Sequence, residues 1–213
     1  AQAWQAATLS GLSEGLKRNK MDYHVLGKEQ NMLVESAFSN PSQEVRKASL
    51  QMLKVIGVQD SIYLNQSIRK AVQIAKDKRL SNEKRAEAIQ FMTLANPAPY
   101  ASVMESLIVP QEDPSIQLAA LKLLGRVPDE TSSRFILKNW EILTPEIREE
   151  ALNTFMTNSQ RITLLLNAVE SNLIKPASIG WPRSVQLMSN GEDHLRDKAR
   201  LLLTKNDKDK VNK

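Results

Sequence analysis

Thr144-Pro145-Glu146-Ile147-Arg148-Glu149-Glu150-Ala151-Leu152-Asn153-Thr154-Phe155-Met156 is the stretch whose reading decides the fold. Thr144 has the side chain of a helix N-cap, Pro145 suits the first helical position, and Glu146 sits where the helix dipole favours an acid. Ile147, Ala151, Leu152 and Phe155 then recur at helical spacing, while Arg148, Glu149 and Glu150 fall on the wetter side. The stretch predicts an amphipathic helix with one closely packed face.

The same order of residue types returns along the chain: an apolar residue, often an arginine, a small residue, then large apolar residues. Val45-Arg46 with Ala48, Ser49, Leu50 and Leu53 repeats it, as does Lys84-Arg85 with Ala88, Ile89 and Met92. Ile116-Gln117 with Ala119, Ala120, Leu121 and Leu124 follows, and Leu195-Arg196 with Ala199, Arg200 and Leu203 is a looser copy. Trp4-Gln5 with Ala7, Thr8, Leu9 and Leu12 starts the series. Counted from Trp4 through Val45, Lys84, Ile116, Ile147 and Leu195, the steps are 41, 39, 32, 31 and 48 residues. They scatter around the roughly 30–47-residue periods of two-helix repeats.

Partner helices are expected between the copies. Gln30–Phe38 closes at Asn40-Pro41, where Asn40 can cap the next helix with Pro41 at its first position and Gln43 placed for a capping box. Ser61–Lys78 and Pro99–Val109 are further partners. Asp113-Pro114 repeats the cap-then-proline start; Asp129 opens a helix through Ile136, Leu137 and Trp140, and Ser159 one through Leu164, Leu165 and Val169.

A helix pair of this kind cannot bury its apolar stripe alone, so stacked neighbours supply the missing core. The expected fold is all-α: a curved right-handed α-solenoid, or superhelix, of antiparallel helix pairs over residues 1–204. The small position (Ser49, Ala88, Ala120, Ala151, Ala199) fits helices that approach closely. An irregular break is expected near 174–183, where Gly180-Trp181-Pro182 makes a bend. Residues 205–213, nearly free of apolar side chains, read as a frayed polar tail or linker.

Composition agrees and narrows the chemistry. Aromatics make up only 5% and there are 7 glycines among 213 residues, which favours helices over sheets. With 29 basic and 24 acidic residues, the net charge of +5 describes a solvated mixed surface rather than a dedicated polyanion binder. There is no cysteine, which excludes disulfides, thiolate catalysis, thiolate zinc sites and covalent haem attachment within these residues. No apolar run is long enough for a membrane span. The chain enters on a helical pattern at Ala1-Gln2-Ala3-Trp4 without an initiator Met, as expected of a piece of a longer protein.

Candidate chemistry is sparse. His24 and His194, the two histidines, are far apart and lack the ligand or acid–base spacing of a site. Glu149-Glu150 are sequence neighbours, which point about 100° apart on a helix, and Asp113 beside Glu112 is better used as a cap. Gly27-Lys28, Gly125-Arg126 and Gly191-Glu192 lack the spacing of a phosphate loop, and Trp140 and Trp181 read as core or hinge fillers. The arginine series Arg46, Arg85, Arg148 and Arg196 is the one candidate interaction surface. Stacked at one repeat position, these side chains could line a groove and grip nucleic-acid phosphates. Against that, an arginine there can pair with an acid of the neighbouring repeat and tether the stack. Gln117 in the fourth copy and the modest net charge favour the tether. An independent hydrolase or lyase has no nucleophile–base arrangement behind it.

From Asn139 on, the residue order is more specific. Asn139-Trp140, Leu143-Thr144-Pro145, Arg148-Glu149-Glu150-Ala151-Leu152, Arg161 and Leu164–Glu170 are followed by Ile174–Ile179, Leu187–Asn190, Leu195-Arg196 and Ala199-Arg200. Together with the opening Leu9–Leu16, this resembles the HEAT-repeat segment of large membrane-bound dehydrogenase-like proteins of planctomycetes and Bacteroidetes. In those proteins a sugar-dehydrogenase-like β-propeller precedes the repeats and a c-type cytochrome domain follows them. The resemblance implies a non-catalytic spacer or docking domain in a periplasmic or cell-envelope setting. Its partners would be neighbouring domains of the same polypeptide or another protein. No cofactor would be held in this chain, haem c belonging to an adjacent domain. The propeller active site and the CxxCH haem motif of the family lie outside these residues, so no catalytic or haem residue carries over.

Overall fold

The computed structural model describes residues 3–18, 27–128 and 130–211, with side chains described to 204. Among the described residues the protein is all-helical, without a strand. It divides into two compact units, 1–103 and 104–213.

In the first unit, α1 (Ala3–Arg18) and α2 (Gly27–Ser39) pack on α3 (Gln43–Ile56), and α4 (Ser61–Lys76) packs on α5 (Asn82–Phe91). Helix α3 begins two residues later than the Asn40-Pro41 reading: Ser42 is the N-cap and its hydroxyl accepts from Val45 N at 3.3 Å. Asn40 instead accepts from Ser42 N at 2.9 Å, shaping the turn before the cap. The small residue Ser49 is fully buried and its hydroxyl meets Ser36 of α2 at 2.9 Å. Leu53 and Ile56 of α3, Ile68, Ala71 and Ala75 of α4, and Ala88, Ile89 and Phe91 of α5 are buried. Phe38 packs on Phe91 with ring centroids 4.4 Å apart. Helix α4 ends at Lys76 rather than Lys78, because Asp77 turns the backbone out of helical geometry. Helix α5 tightens into a 3-10 turn at Met92–Leu94. The expected Pro99 partner is a 3-10 turn, Ala98–Tyr100, followed by α6 (Ala101–Leu107).

In the second unit, α7 (Pro114–Leu124) packs on α9 (Pro145–Phe155), and α10 (Ser159–Glu170) contacts α8 (Glu130–Lys138) and α9. Helix α12 (Asp193–Val211) packs on α10 and on α11 (Trp181–Met188). Asp113 and Thr144 cap α7 and α9, with Pro114 and Pro145 at the first positions as their sequences dictate. Helix α10 is capped by Asn158, one residue before Ser159. Asp129, expected to open α8, lies outside the described residues. Helix α8 stops at Lys138, and Trp140 starts a separate 3-10 turn instead of ending the helix. Ala120, Ala151 and Ala199 are fully buried, so the small position is where neighbouring helices close up. Gly125 serves the same purpose at the end of α7: a Cβ there would lie 2.9 Å from the Thr154 hydroxyl and 3.1 Å from its methyl. The break near 174–183 is a 3-10 turn, Pro176–Ile179, and then Gly180 at φ 78°, which redirects the chain into α11. The backbone of α12 continues helically through residue 211, past the expected tail boundary at 205.

Within each unit the helices thus pack against near neighbours in chain order, the solenoid-like arrangement of helix pairs that the repeat pattern requires.

Candidate functional site

Of the arginine series, Arg46, Arg85 and Arg148 are placed at the joints between helices. Arg46 is only 6% exposed; its Nε donates to Glu87 at 2.6 Å and its Nη2 to Glu83 at 2.7 Å, tying α3 to α5. Its Nη1 donates to the carbonyls of Asn40 and Pro41 at 2.9 and 3.2 Å. The hydrogen bond it donates to Glu87, with the charges of Glu87 and Glu83 behind it, holds this guanidinium above its ordinary pKa although burial opposes it. Arg85, 2% exposed, donates from Nε to Ala75 O at 2.9 Å, at the end of α4. Arg148 donates to Trp140 O at 3.0 Å and Glu141 O at 2.8 Å, with its guanidinium 5.6 Å from the Trp140 ring centroid. Arg196 pairs within its own helix, Nη2 lying 2.7 Å from Asp193.

A common task emerges. Arg46, Arg85 and Arg148 each donate to backbone carbonyls at or just beyond the C-terminal end of the preceding helix, where such groups lack intrahelical partners. Gln117, in place of an arginine, also donates to a main-chain carbonyl, but in the turn just before its own helix: its Nε2 lies 2.8 Å from Glu112 O. In the last copy the task falls to Arg200, one turn beyond Arg196, whose Nε donates to Met188 O at 3.1 Å. Arg161 was not singled out by the repeat pattern, yet it is buried and donates to Gly125 O at 2.6 Å and to Val127 O, beyond the end of α7. The sequence signal was a basic residue in the first turn of α10, just before the apolar run Leu164–Leu166. These guanidiniums are turned into the fold, and they do not form an open phosphate-gripping ladder.

The other candidates fall apart in space. His24 lies outside the described residues, and His194 is exposed at the start of α12 with Nε2 3.8 Å from Glu192. Glu149 pairs with Arg183 at 2.5 Å, while Glu150 lies on the same helix without joining it. Trp140 is buried and Trp181 is 74% exposed. Among the described residues, no group of three or more His, Asp or Glu is placed to hold a metal ion. No helix there is long and apolar enough to cross a membrane.

Two of the concavities among the described residues of the first unit are roomy enough to take a side chain. One, of about 310 Å³, lies between α1 and α2 and is lined by Trp4, Leu9, Met32 and Leu33. The other, of about 210 Å³, lies among α2, α4 and α5, with Phe38, Ile74 and Leu80 as its apolar wall and Lys84 beside it. The ion-paired Arg46 and Glu87 form its inner side. The Lys70 ammonium stands 5.0 Å from the Phe38 ring centroid, a cation–π distance. Residues 1–103 carry 14 basic and 9 acidic side chains, and 104–213 carry 15 of each, so the whole net charge resides in the unit that holds this crevice.

Comparison of the chain with protein-family models, curated proteins and solved structures finds no match.

Proposed function

We propose that this chain is a non-catalytic, HEAT-like scaffold domain of a larger cell-envelope dehydrogenase that also carries a c-type cytochrome domain. In that role it spaces or docks the catalytic and haem domains, works in the periplasm, and binds proteins rather than substrate. The observation that carries the reading is the residue order from Asn139 to Arg200, which resembles the repeat segment of such proteins. Two features of the chain support it. The polar side chains that recur with the repeat are engaged in joining helices, as Arg46 and Arg148 are. Without cysteine, haem c would have to be attached to another domain.

The test is to isolate the parent polypeptide from its source and examine it for covalent haem and for the CxxCH motif in the same gene. A haem-bearing polypeptide with a propeller domain is the expected result. A parent gene with neither a CxxCH motif nor a propeller would contradict the reading.

A further inference from the structure

We infer that the crevice among α2, α4 and α5 is a docking site for an acidic protein segment carrying one apolar anchor residue. The inference rests on the scaffold reading and names the class of partner that the scaffold takes.

Every acid of the α4–α5 hairpin is already engaged. Asp60 caps α4 by accepting from Ile62 N and Tyr63 N, both at 2.9 Å. Asp77 is held by Arg79 at 2.8 Å. Glu83 and Glu87 are bound by Arg46. Helix α4 itself contains no acidic residue. The cations Arg69, Lys70, Lys76, Lys78 and Lys84, all on the surface, have no ion-pair partner among the described residues. The hairpin therefore presents a positive field that its own acids do not cancel, and such a field attracts and orients acidic partners.

Position and shape then select among anions. Lys70 lies one turn before Ile74 on α4, so its ammonium stands over Phe38 at the crevice wall, and Lys84 lines the crevice from α5. Between them Phe38, Ile74 and Leu80 form a half-buried apolar wall. A nucleic-acid backbone would satisfy the lysines but leave that wall facing sugar and phosphate. A peptide carboxylate on each side of an apolar side chain satisfies both. At about 210 Å³ the crevice is smaller than the roughly 300–1,000 Å³ of small-molecule sites. It suits one inserted side chain better than a cofactor. The engaged Arg46–Glu87 pair makes the inner side of the crevice rigid without offering a free charge.

The probe is a fluorescein-labelled peptide, Glu-Glu-Asp-Leu-Glu-Glu, titrated with the full 213-residue chain at low ionic strength and read by anisotropy. Saturable binding is expected. It should weaken about tenfold or more, which is 1.4 kcal/mol, when the peptide Leu becomes Ser or when the chain carries Lys70→Glu with Lys84→Glu. Lys122→Glu, an exposed reversal on α7, should leave it unchanged. Leu80→Ser, with helicity checked by circular dichroism, should weaken the Leu peptide and not the Ser peptide. No saturable binding, equal binding of the two peptides, equal loss on Lys122→Glu, or tighter binding of a labelled DNA duplex would each overturn the site. No peptide binding in a chain whose parent proves to carry haem overturns only the crevice. Intact binding in a chain whose parent lacks haem and propeller overturns only the dehydrogenase reading.

Discussion

The two units use the same residue position in different ways. In residues 1–103, Arg46 joins helices through two carboxylates as well as two carbonyls. In residues 104–213, Arg148 and Arg161 donate to main-chain carbonyls, Arg161 also to the Thr157 hydroxyl at 3.0 Å. Carboxylate links between helices fall there to Arg183 with Glu149 and Lys198 with Glu170. The first unit is also the one with surplus cations, 14 basic against 9 acidic side chains, a balance that the pairing of Glu83 and Glu87 with Arg46 leaves unchanged. In the second unit 15 acidic side chains balance 15 basic ones. The repeat position thus sets how the helices are fastened, while composition sets the charge that each unit shows to a partner.

The largest expected effect is at the carboxylate-linked joint. Arg46→Ala strands Glu87, itself only 11% exposed, and is expected to lower unfolding free energy by about 3 kcal/mol. Arg196→Ala, which loses only an exposed pair, is expected to change it by less than about 0.5 kcal/mol. Urea titration of both variants checks the contrast; equal losses would erase it. At the carbonyl-linked joint, Arg161→Ala removes the donors to Gly125 O and Val127 O and is expected to cost about 2 kcal/mol. A loss as large as that of Arg46→Ala would show that carboxylates add nothing special.

Overpacking probes the other half of the repeat. Ala151→Leu and Ala120→Leu, at fully buried positions, are each expected to destabilise by roughly 1–3 kcal/mol. Unchanged melting of both would show the helices do not close up there. The smallest effect belongs to Asp77, whose carboxyl is lowered to about 2 by its hydrogen bond with Arg79. A depressed acid adds stability above its ordinary value of 3.8, and that stability is lost as pH falls towards about 2. The Asp77 carboxyl should titrate by NMR near 2, and Arg79→Ala should return it towards 3.8.

Much of the fold was legible because its signals are local. Thr144-Pro145 and Asp113-Pro114 start helices where their chemistry says they must, and Ala120, Ala151 and Ala199 are buried as the small position requires. Competing local signals misled where two caps stood close together: Asn40 and Ser42 can both cap, and only packed geometry chose Ser42. Trp140 falls on helical spacing, yet Asn139 leaves helical geometry and the chain continues as a 3-10 turn. The arginine series was visible as a pattern, and Arg46 does tether neighbouring helices through acids. Its wider task was not visible, because sequence does not reveal whether a guanidinium meets a carboxylate or a main-chain carbonyl. Gln117 looked like a defect for that reason. The crevice was illegible because Phe38, Ile74 and Lys84 come together from three helices.

A double-mutant cycle between Arg46 and Glu87 tests most directly whether the arginine series holds the fold together rather than facing a ligand. The wild type, Arg46→Met, Glu87→Gln and the double variant would be unfolded in urea at low and high salt. The account expects a coupling of about 1.5 kcal/mol or more that salt barely changes, because the pair is shielded from solvent. A coupling near zero, or one abolished by salt, would mean that Arg46 is a surface charge available to a partner, and would contradict it.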